Sequence, residues 1–579
     1  MAKAERKTLC DFTRDCTPSG RPLVKSYFHG VCATPLSADT VGDVIRMRAR
    51  DQPDRVVFRV PHVGQELTLG ELNVKASRVS RALLGVGLRK GDIVFHAGLE
   101  DQEYIIWYFA TLQIGLVFLY TLIETPPEKD TNILCNLGPK LVCVGDKVLP
   151  GTVSVLKERN KKHPEFKLVS LHSGMTDPDF STYDDFLREG KSVTEQVLLE
   201  TVNSVSIDDD AVLFVSSGTT STEHKVSCTT HQFLVNTAMF AHQRIHPYTE
   251  PDVIGLTSPV IDDSVCISLV GLVLNGDVGV LAPPEMTFKP DYVEVFMQFI
   301  QDNGITWYSG TPFEFVNAVQ STERHKYDLS SLRGGNLVGQ TLTEPIKQKL
   351  LREFPDMLTL YGATECLIGL GCSVRWSTPT QRVLSLGFPY AHCEVKLVNE
   401  RDEVVPVGSQ GEVCIRGWPV LKRYQGNESL TLKAKHHQLN GWYHYGDIGI
   451  MDETGHVRFI GRKAECVRFK HFSDTIYPSV IFDAVKKDSR VLNAKVVGIH
   501  NDQIGDDICL CVEVGENSDV TEDQLRQLLE NEVHENSRPD FYFIFEKFPR
   551  TGPRQKIAYQ DLRETVAEKL QQIKLQTGQ

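Results

Sequence analysis

The chain has 14 cysteines in 579 residues but no C-x-x-C pair, and only Cys509 and Cys511 stand close together. No zinc framework or disulfide scaffold can be read from that spacing, so reduced thiols are the expected state. The Walker A sequence G-x-x-x-x-G-K-[ST] is also missing, so any phosphate-holding loop here is of another kind. Positive charge is in short supply: 62 Lys and Arg against 75 Asp and Glu give a net charge of −13. That balance argues against nucleic acid or an anionic membrane as the main partner, while leaving room for a local basic cleft. The first residues, "MAKAERKTLCDFTRDC", lack an apolar h-region and are not read as a secretory signal. Glu5, Asp11 and Asp15 fit poorly with the acid-poor composition of a mitochondrial transit peptide, so a cytosolic location is expected.

One long uncharged run is present. "IIWYFATLQIGLVFLYTLI", residues 105–123, is about the ~20 residues a membrane span requires. Gln113 and Gly115 at its centre point instead to a buried helix, a glycine break and a buried strand. "SVCISLVGLVLNGDVGVLA" (264–282) repeats the pattern, split by Asn275, Gly276 and Asp277. Strand-like runs such as "VVFRV", "DIVFHAG", "KLVCVGD", "AVLFVSS", "VIGLTSP" and "VGVLAP" alternate with amphipathic helical stretches. This alternation predicts an α/β architecture with largely parallel sheets. From about residue 380 the character changes to short strands between Gly and Asp turns, "HCEVKLVNE", "GEVCIRG" and "GHVRFIGR". Those predict an antiparallel or barrel-like part. After "GRKAE" comes a last stretch with its own strands and a helix over "TEDQLRQLLENEV", opened by an N-cap at Asp519 or Thr521. That stretch reads as a small separate domain.

"LFVSSGTTSTEHK" (213–225) joins an apolar run to a polar cluster. Backbone amides and hydroxyls of Ser216, Ser217, Gly218, Thr219 and Thr220 can cradle phosphate oxygens, with Lys225 as a point charge. A solvated Ser/Thr-rich turn at the end of a buried strand is the competing reading of the same residues.

Five motifs in order carry a wider resemblance: this loop, "YGATEC" (361–366), "GWYHYGD" (441–447), "GR" (461–462) and "PRTGPRQKIAYQDLRE" (549–564). In order and spacing the chain resembles the adenylate-forming superfamily of acyl-CoA synthetases, luciferases and peptide-synthetase adenylation domains, from about residue 25 to 570. Within it, "KSYFHGVCATPLSADTVGDVI" (25–45), "CIRGWPVLKRYQGN" (414–427) and "VVGIHNDQIGDDICLCV" (496–512) look most like the medium-chain acyl-CoA ligases. The resemblance implies a large N-terminal domain, residues 1–461, made of two α/β sheet subdomains and a β-barrel-like one. A hinge at 462–465 and a small mobile α+β domain at 466–579 would follow.

The same resemblance implies site residues. Glu365 would bind Mg²⁺, Thr364 would reach the α-phosphate, Tyr361 would flank the adenine, and Gly362 would be among the cofactor-binding residues. Asp447 would take the ribose hydroxyls, assisted by Arg462. Gly339 in "GGNLVGQTL" (334–342) stands at the adenine-side turn, and Lys556 would bridge carboxylate and α-phosphate during adenylation. ATP, Mg²⁺ and coenzyme A as co-substrate are the implied cofactors. A small carboxylic acid is the implied partner, with no nucleic acid and no transmembrane segment; a homo-oligomer stays open, and by resemblance alone so does a mitochondrial location. The chain departs from the pattern at the phosphate loop (Ser221, one extra residue, His224, Val226), at Asp262 in "SPVIDDS", at Ala464 and Ser473 near the hinge, and at Arg554 before Lys556. These departures keep a second reading in play, a catalytically silent paralogue retaining the fold for binding or assembly. A third is an adenylating enzyme with another acceptor.

Overall fold

A computed structural model describes residues 18–577, apart from 99–101, 121–136, 146–151, 163–165, 172–176, 216–224, 246–250, 257–262, 284–285, 287–290, 310–311, 338–343, 374–375, 435–440, 464–466, 469–474, 477, 486, 489, 502–504, 516–517, 534, 536–537 and 552–555. Both apolar runs resolve into helix, left-handed glycine and strand. The first gives the helix Gln102–Gln113, Gly115 at φ +71 and the strand Val117–Tyr120. A Cβ at Gly115 would also stand 3.1 Å from Lys90 and Val205, so glycine suits the turn on both counts. Trp107, Tyr108 and Phe109 are fully buried, which explains a helix without a polar face. Gln113 is no anomaly: its amide donates to Ser80 Oγ at 2.6 Å, which in turn donates to the Ala110 carbonyl at 2.7 Å. The second run gives the helix Asp263–Asn275, Gly276 at φ +75 and the strand Val278–Leu281. Among the described residues no helix is long and apolar enough to cross a membrane.

Two large sheets dominate. One has eight strands, in the order Arg423–Tyr424, Val226–Thr230, Asp210–Val215, Val117–Tyr120, Ile93–Ala97, Leu141–Val144, Lys167–Ser170, Ser181–Thr182. It is parallel from Asp210–Val215 to Ser181–Thr182 and antiparallel at its other edge. The other has nine strands with Val56–Val60, Val278–Leu281, Val253–Leu256, Trp307–Ser309, Gly334–Leu337 and Leu358–Ala363 parallel and antiparallel strands at both edges. The largest apolar cluster lies between them, combining Val94 and Phe118 of the first with Phe58, Leu256 and Trp307 of the second through the helices Leu69–Gly85, Gln102–Gln113 and His231–Ile245. Strand alternation sets the other faces: Ile93 and Phe95 turn away from Val94 into a separate cluster. Each fully buried aromatic contributes about 1.5–3 kcal/mol, which makes this layered core the main source of stability.

The expected antiparallel part is a five-stranded sheet, ordered Tyr27–His29, Glu394–Val398, Gln410–Arg416, Tyr443–Met451, Val457–Arg462. The last part of the chain has cores of its own. The sheet Val491–Asn501, Gly505–Val514, Phe541–Phe545 sends Val496, Leu510 and Val512 toward the helix Glu522–Glu532, and Val497, Cys509 and Cys511 toward the helix Tyr559–Thr577. Thr521, not Asp519, caps the former helix, in a box with Gln524. The nine cysteines whose side chains are described are buried thiols.

Candidate active site

The strand Leu358–Ala363 runs parallel to one neighbour and then reverses through Thr364 and Glu365 into the antiparallel strand Cys366–Gly371, with Ala363 paired to Cys366. Glu365 therefore sits at the C-terminal end of a parallel strand, where open α/β sheets bind ligands. It is clamped twice by one segment. The Tyr424 hydroxyl donates to Glu365 Oε1 at 2.7 Å, and the Leu421 amide donates to the Glu365 carbonyl at 2.7 Å. That segment belongs to the eight-stranded sheet, so Glu365 is tied across from one large sheet to the other.

The five-stranded sheet supplies the second carboxylate. Asp447 lies within the strand Tyr443–Met451, its side chain 1 % exposed. Its register partner on the next strand is Arg462, whose Nε stands 2.9 Å from Asp447 Oδ1; the Tyr361 hydroxyl donates to Oδ2. Strand alternation puts Tyr443, Tyr445 and Asp447 on one face. That face registers the "YGATEC" turn at two points and the segment that clamps Glu365 at a third. Asp447 receives Tyr361, the Tyr445 hydroxyl donates to the Cys366 carbonyl at 3.0 Å, and Tyr443 is hydrogen-bonded to Tyr424. The rings of Tyr361 and Tyr445 are 4.9 Å apart, and those of Tyr443 and Tyr445 5.3 Å. Burial first, and then the neighbouring Asp447 carboxylate, push the Tyr361 hydroxyl well above the usual tyrosine range, so it stays a donor.

Around the loop 216–224, Val215 and Val226 are antiparallel register partners, so the two ends of that loop are held side by side. Lys225 follows, its Nζ 5.9 Å from the centre of the Tyr424 ring. Behind it, Asp210 is paired with Arg423 and with Lys422 at 2.8 Å. Burial works to raise the Asp210 carboxyl, but the two cations outweigh it and hold it near 2. His231 opens the next helix and accepts the Val41 amide on Nδ1 at 3.3 Å; burial lowers it to about 4, so it is a neutral structural histidine.

Tyr361, Gly362, Thr364, Glu365, Asp447 and Arg462 thus converge where the three sheets meet, and Lys225 joins them through Tyr424. Ser216, Ser217, Gly218, Thr219, Thr220, Gly339, Asp262 and Arg554 lie outside the described residues, as does the side chain of Lys556, whose backbone pairs with Thr551. Sequence reasoning missed Tyr424, Tyr443 and Tyr445. The signal available for the last two was the period-2 spacing Tyr443, Tyr445, Asp447 within "GWYHYGD".

Residues 45–425 match the AMP-binding enzyme family, and the chain belongs to that family. It is an AMP-forming ligase, using ATP to activate an acid as its adenylate. Among curated proteins it is 24 % identical to the medium-chain acyl-CoA ligase ACSF2, mitochondrial, of Danio rerio, over 94 % of this chain and 91 % of that one. It is also 24 % identical to the acyl-CoA ligase sidI of Aspergillus fumigatus, over 96 % and 95 % of the two chains. The fold, a large N-terminal and a small C-terminal domain, is that of the anthranilate CoA ligase AuaEII solved with anthranoyl-AMP. That match has a TM-score of 0.77 at 18 % identity, covering 92 % of this chain and 98 % of the other.

Proposed function

We propose that this enzyme converts a carboxylic acid, of the medium-chain fatty class, into its coenzyme A thioester through an acyl-adenylate. The observation that carries the reading is the bonded assembly Tyr361–Asp447–Arg462 with Glu365–Tyr424, which joins the end of one parallel strand to the antiparallel five-stranded sheet and to the edge of the other large sheet, in a chain of this family. A carboxylate resists attack by a thiol because its oxygen is too basic to leave. Attack of the acid on the α-phosphorus of ATP expels pyrophosphate and gives an acyl-AMP; the thiol then attacks the acyl carbon and AMP departs.

In this reading Asp447, assisted by Arg462, holds the ribose hydroxyls, Tyr361 and Gly362 flank the adenine with Gly339, and Thr364 reaches the α-phosphate. Residues 216–220 and Lys225 hold the remaining phosphates. Lys556, on a C-terminal domain of residues 466–579 hinged at 462–465, bridges the two anions while they are joined. Among the described residues no cluster of three His, Cys, Asp or Glu forms a closed metal site. One carboxylate, Glu365, suits a cation that arrives already coordinated by phosphates, the usual habit of Mg²⁺. When bound there, Mg²⁺ would neutralise charge building on the phosphates.

The test is ATP–pyrophosphate exchange with straight-chain acids of two to eighteen carbons, followed by thioester formation with coenzyme A. Exchange peaking at medium chain length is the expected result. Exchange that peaks with aromatic or short acids overturns the substrate class. ATP binding without exchange on any acid makes the chain a silent nucleotide binder instead.

A further inference from the structure

We propose that Tyr424 is a positioning residue for the adenylation half-reaction: its hydroxyl fixes one oxygen of Glu365 so that the other is presented to the divalent cation accompanying ATP. The inference rests on the reading of Glu365 given above, and adds to it the group that holds the carboxylate in place.

The geometry singles out the hydroxyl. Glu365 stands at the tip of a two-residue reversal, and its side chain has three rotatable bonds to be fixed if a cation is to find the carboxylate ready-made. Tyr424 is 4 % exposed and belongs to a two-residue strand paired with Ser227 and Cys228, directly behind the phosphate loop. The flanking amides of Lys422 and Gln425 donate to Cys228 and Val226 at 2.8 and 2.7 Å, so the strand cannot shift without moving that loop's return arm. The Leu421 amide already fixes the Glu365 backbone, which leaves the carboxylate as the part that Tyr424 alone reaches from this segment.

Two further contacts prepare Tyr424 as a donor. Tyr443, from the strand that carries Asp447, is hydrogen-bonded to the Tyr424 oxygen and polarises it toward Glu365. The face of the same ring lies 5.9 Å from the Lys225 ammonium. One side chain therefore bonds the proposed metal carboxylate through its hydroxyl and has the proposed phosphate lysine beside its ring.

If Tyr424 only filled space, phenylalanine would serve as well. Calorimetric titration of ATP, once in EDTA and once with excess Mg²⁺, separates the cases in wild type, Tyr424→Phe and Tyr443→Phe. Expected for Tyr424→Phe is an ATP affinity in EDTA within about twofold of wild type, with the gain produced by Mg²⁺ cut about three- to tenfold, the loss of one charge-assisted hydrogen bond. Tyr443→Phe should show the same change at smaller size, and it stands in should Tyr424→Phe fail to fold. An unaltered Mg²⁺ gain in both variants overturns the proposal. So does an equal fall in EDTA and in Mg²⁺, which is the mark of a purely structural tyrosine. A wild type that gives no heat with ATP fails the nucleotide reading itself, and the proposal falls with it.

Discussion

Asp447 and Lys556 are proposed to act on the same nucleotide, yet they sit in different settings. The Asp447 carboxylate is almost wholly buried in the interior of a strand, braced by Arg462 and the Tyr361 hydroxyl. A group fixed this way meets the ribose whatever the last part of the chain is doing. Lys556 lies on a two-residue strand far along the chain, next to residues 552–555, and would reach the nucleotide only in one arrangement. Asp447→Ala should therefore raise the Kd for ATP about 10- to 100-fold, the ~1.5–3 kcal/mol carried by a hydrogen-bonded charge. Lys556→Ala should change it less than about fivefold, since a charge contact made in only one arrangement contributes at most ~1 kcal/mol to binding. Calorimetry with Mg²⁺ and ATP reads both, and equal losses would contradict the difference in setting.

At the level of elements, the parallel strands were legible because burial on both faces writes itself as continuous apolar runs, and the glycines ending the helices mark each break. Other features were not legible. The strands Tyr27–His29 and Arg423–Tyr424 are too short to show a period, and both are defined by partners distant in sequence. Nor does "GEVCIRG" announce that Glu412 is a buried anchor. Lys463, the residue after Arg462, pairs with Glu412 at 2.7 Å, and His444 Nδ1 lies 3.4 Å from the same oxygen. Burial acts to raise Glu412, yet His444 and Lys463 prevail and bring it to about 2 from 4.5. A carboxylate depressed on folding stabilises above its unfolded value and loses that contribution as pH falls through the folded one. Glu412→Gln should thus lower stability at pH 7 by about 1–2 kcal/mol, after discounting for the partly exposed lysine. The gap in thermal midpoint should narrow between pH 4.5 and 2. A gap that stays constant across that window would show Glu412 acting through shape and not charge.

On the scale of the whole molecule, the order of motifs pointed to Tyr361, Glu365, Asp447 and Arg462, and folding brings these four into one bonded assembly. Tyr424, which joins Glu365 to the rest, was invisible, because a tyrosine in a strand reads as core until its hydroxyl's partner is known, and Tyr443 and Tyr445 were marked only by their spacing from Asp447. The assembly belongs to the part of the chain before residue 463, whereas Lys556 belongs to a part with its own two cores. That separation allows the two half-reactions to be told apart. A lysine bridging carboxylate and phosphate helps only while those anions are being joined, so Lys556→Ala should slow acyl-adenylate formation roughly 100- to 1000-fold, about 3–4 kcal/mol of transition-state stabilisation. Thioester formation from supplied acyl-AMP should stay within a few-fold of wild type, because the bond that needed the bridge already exists. Single-turnover assays of each half-reaction make the comparison. If both rates fall together, Lys556 serves the structure of the last domain, and Arg554, two residues earlier, becomes the cation to replace. If only the second falls, the lysine belongs to the thiol-binding face, and the assignment of its charge to the adenylation step is wrong.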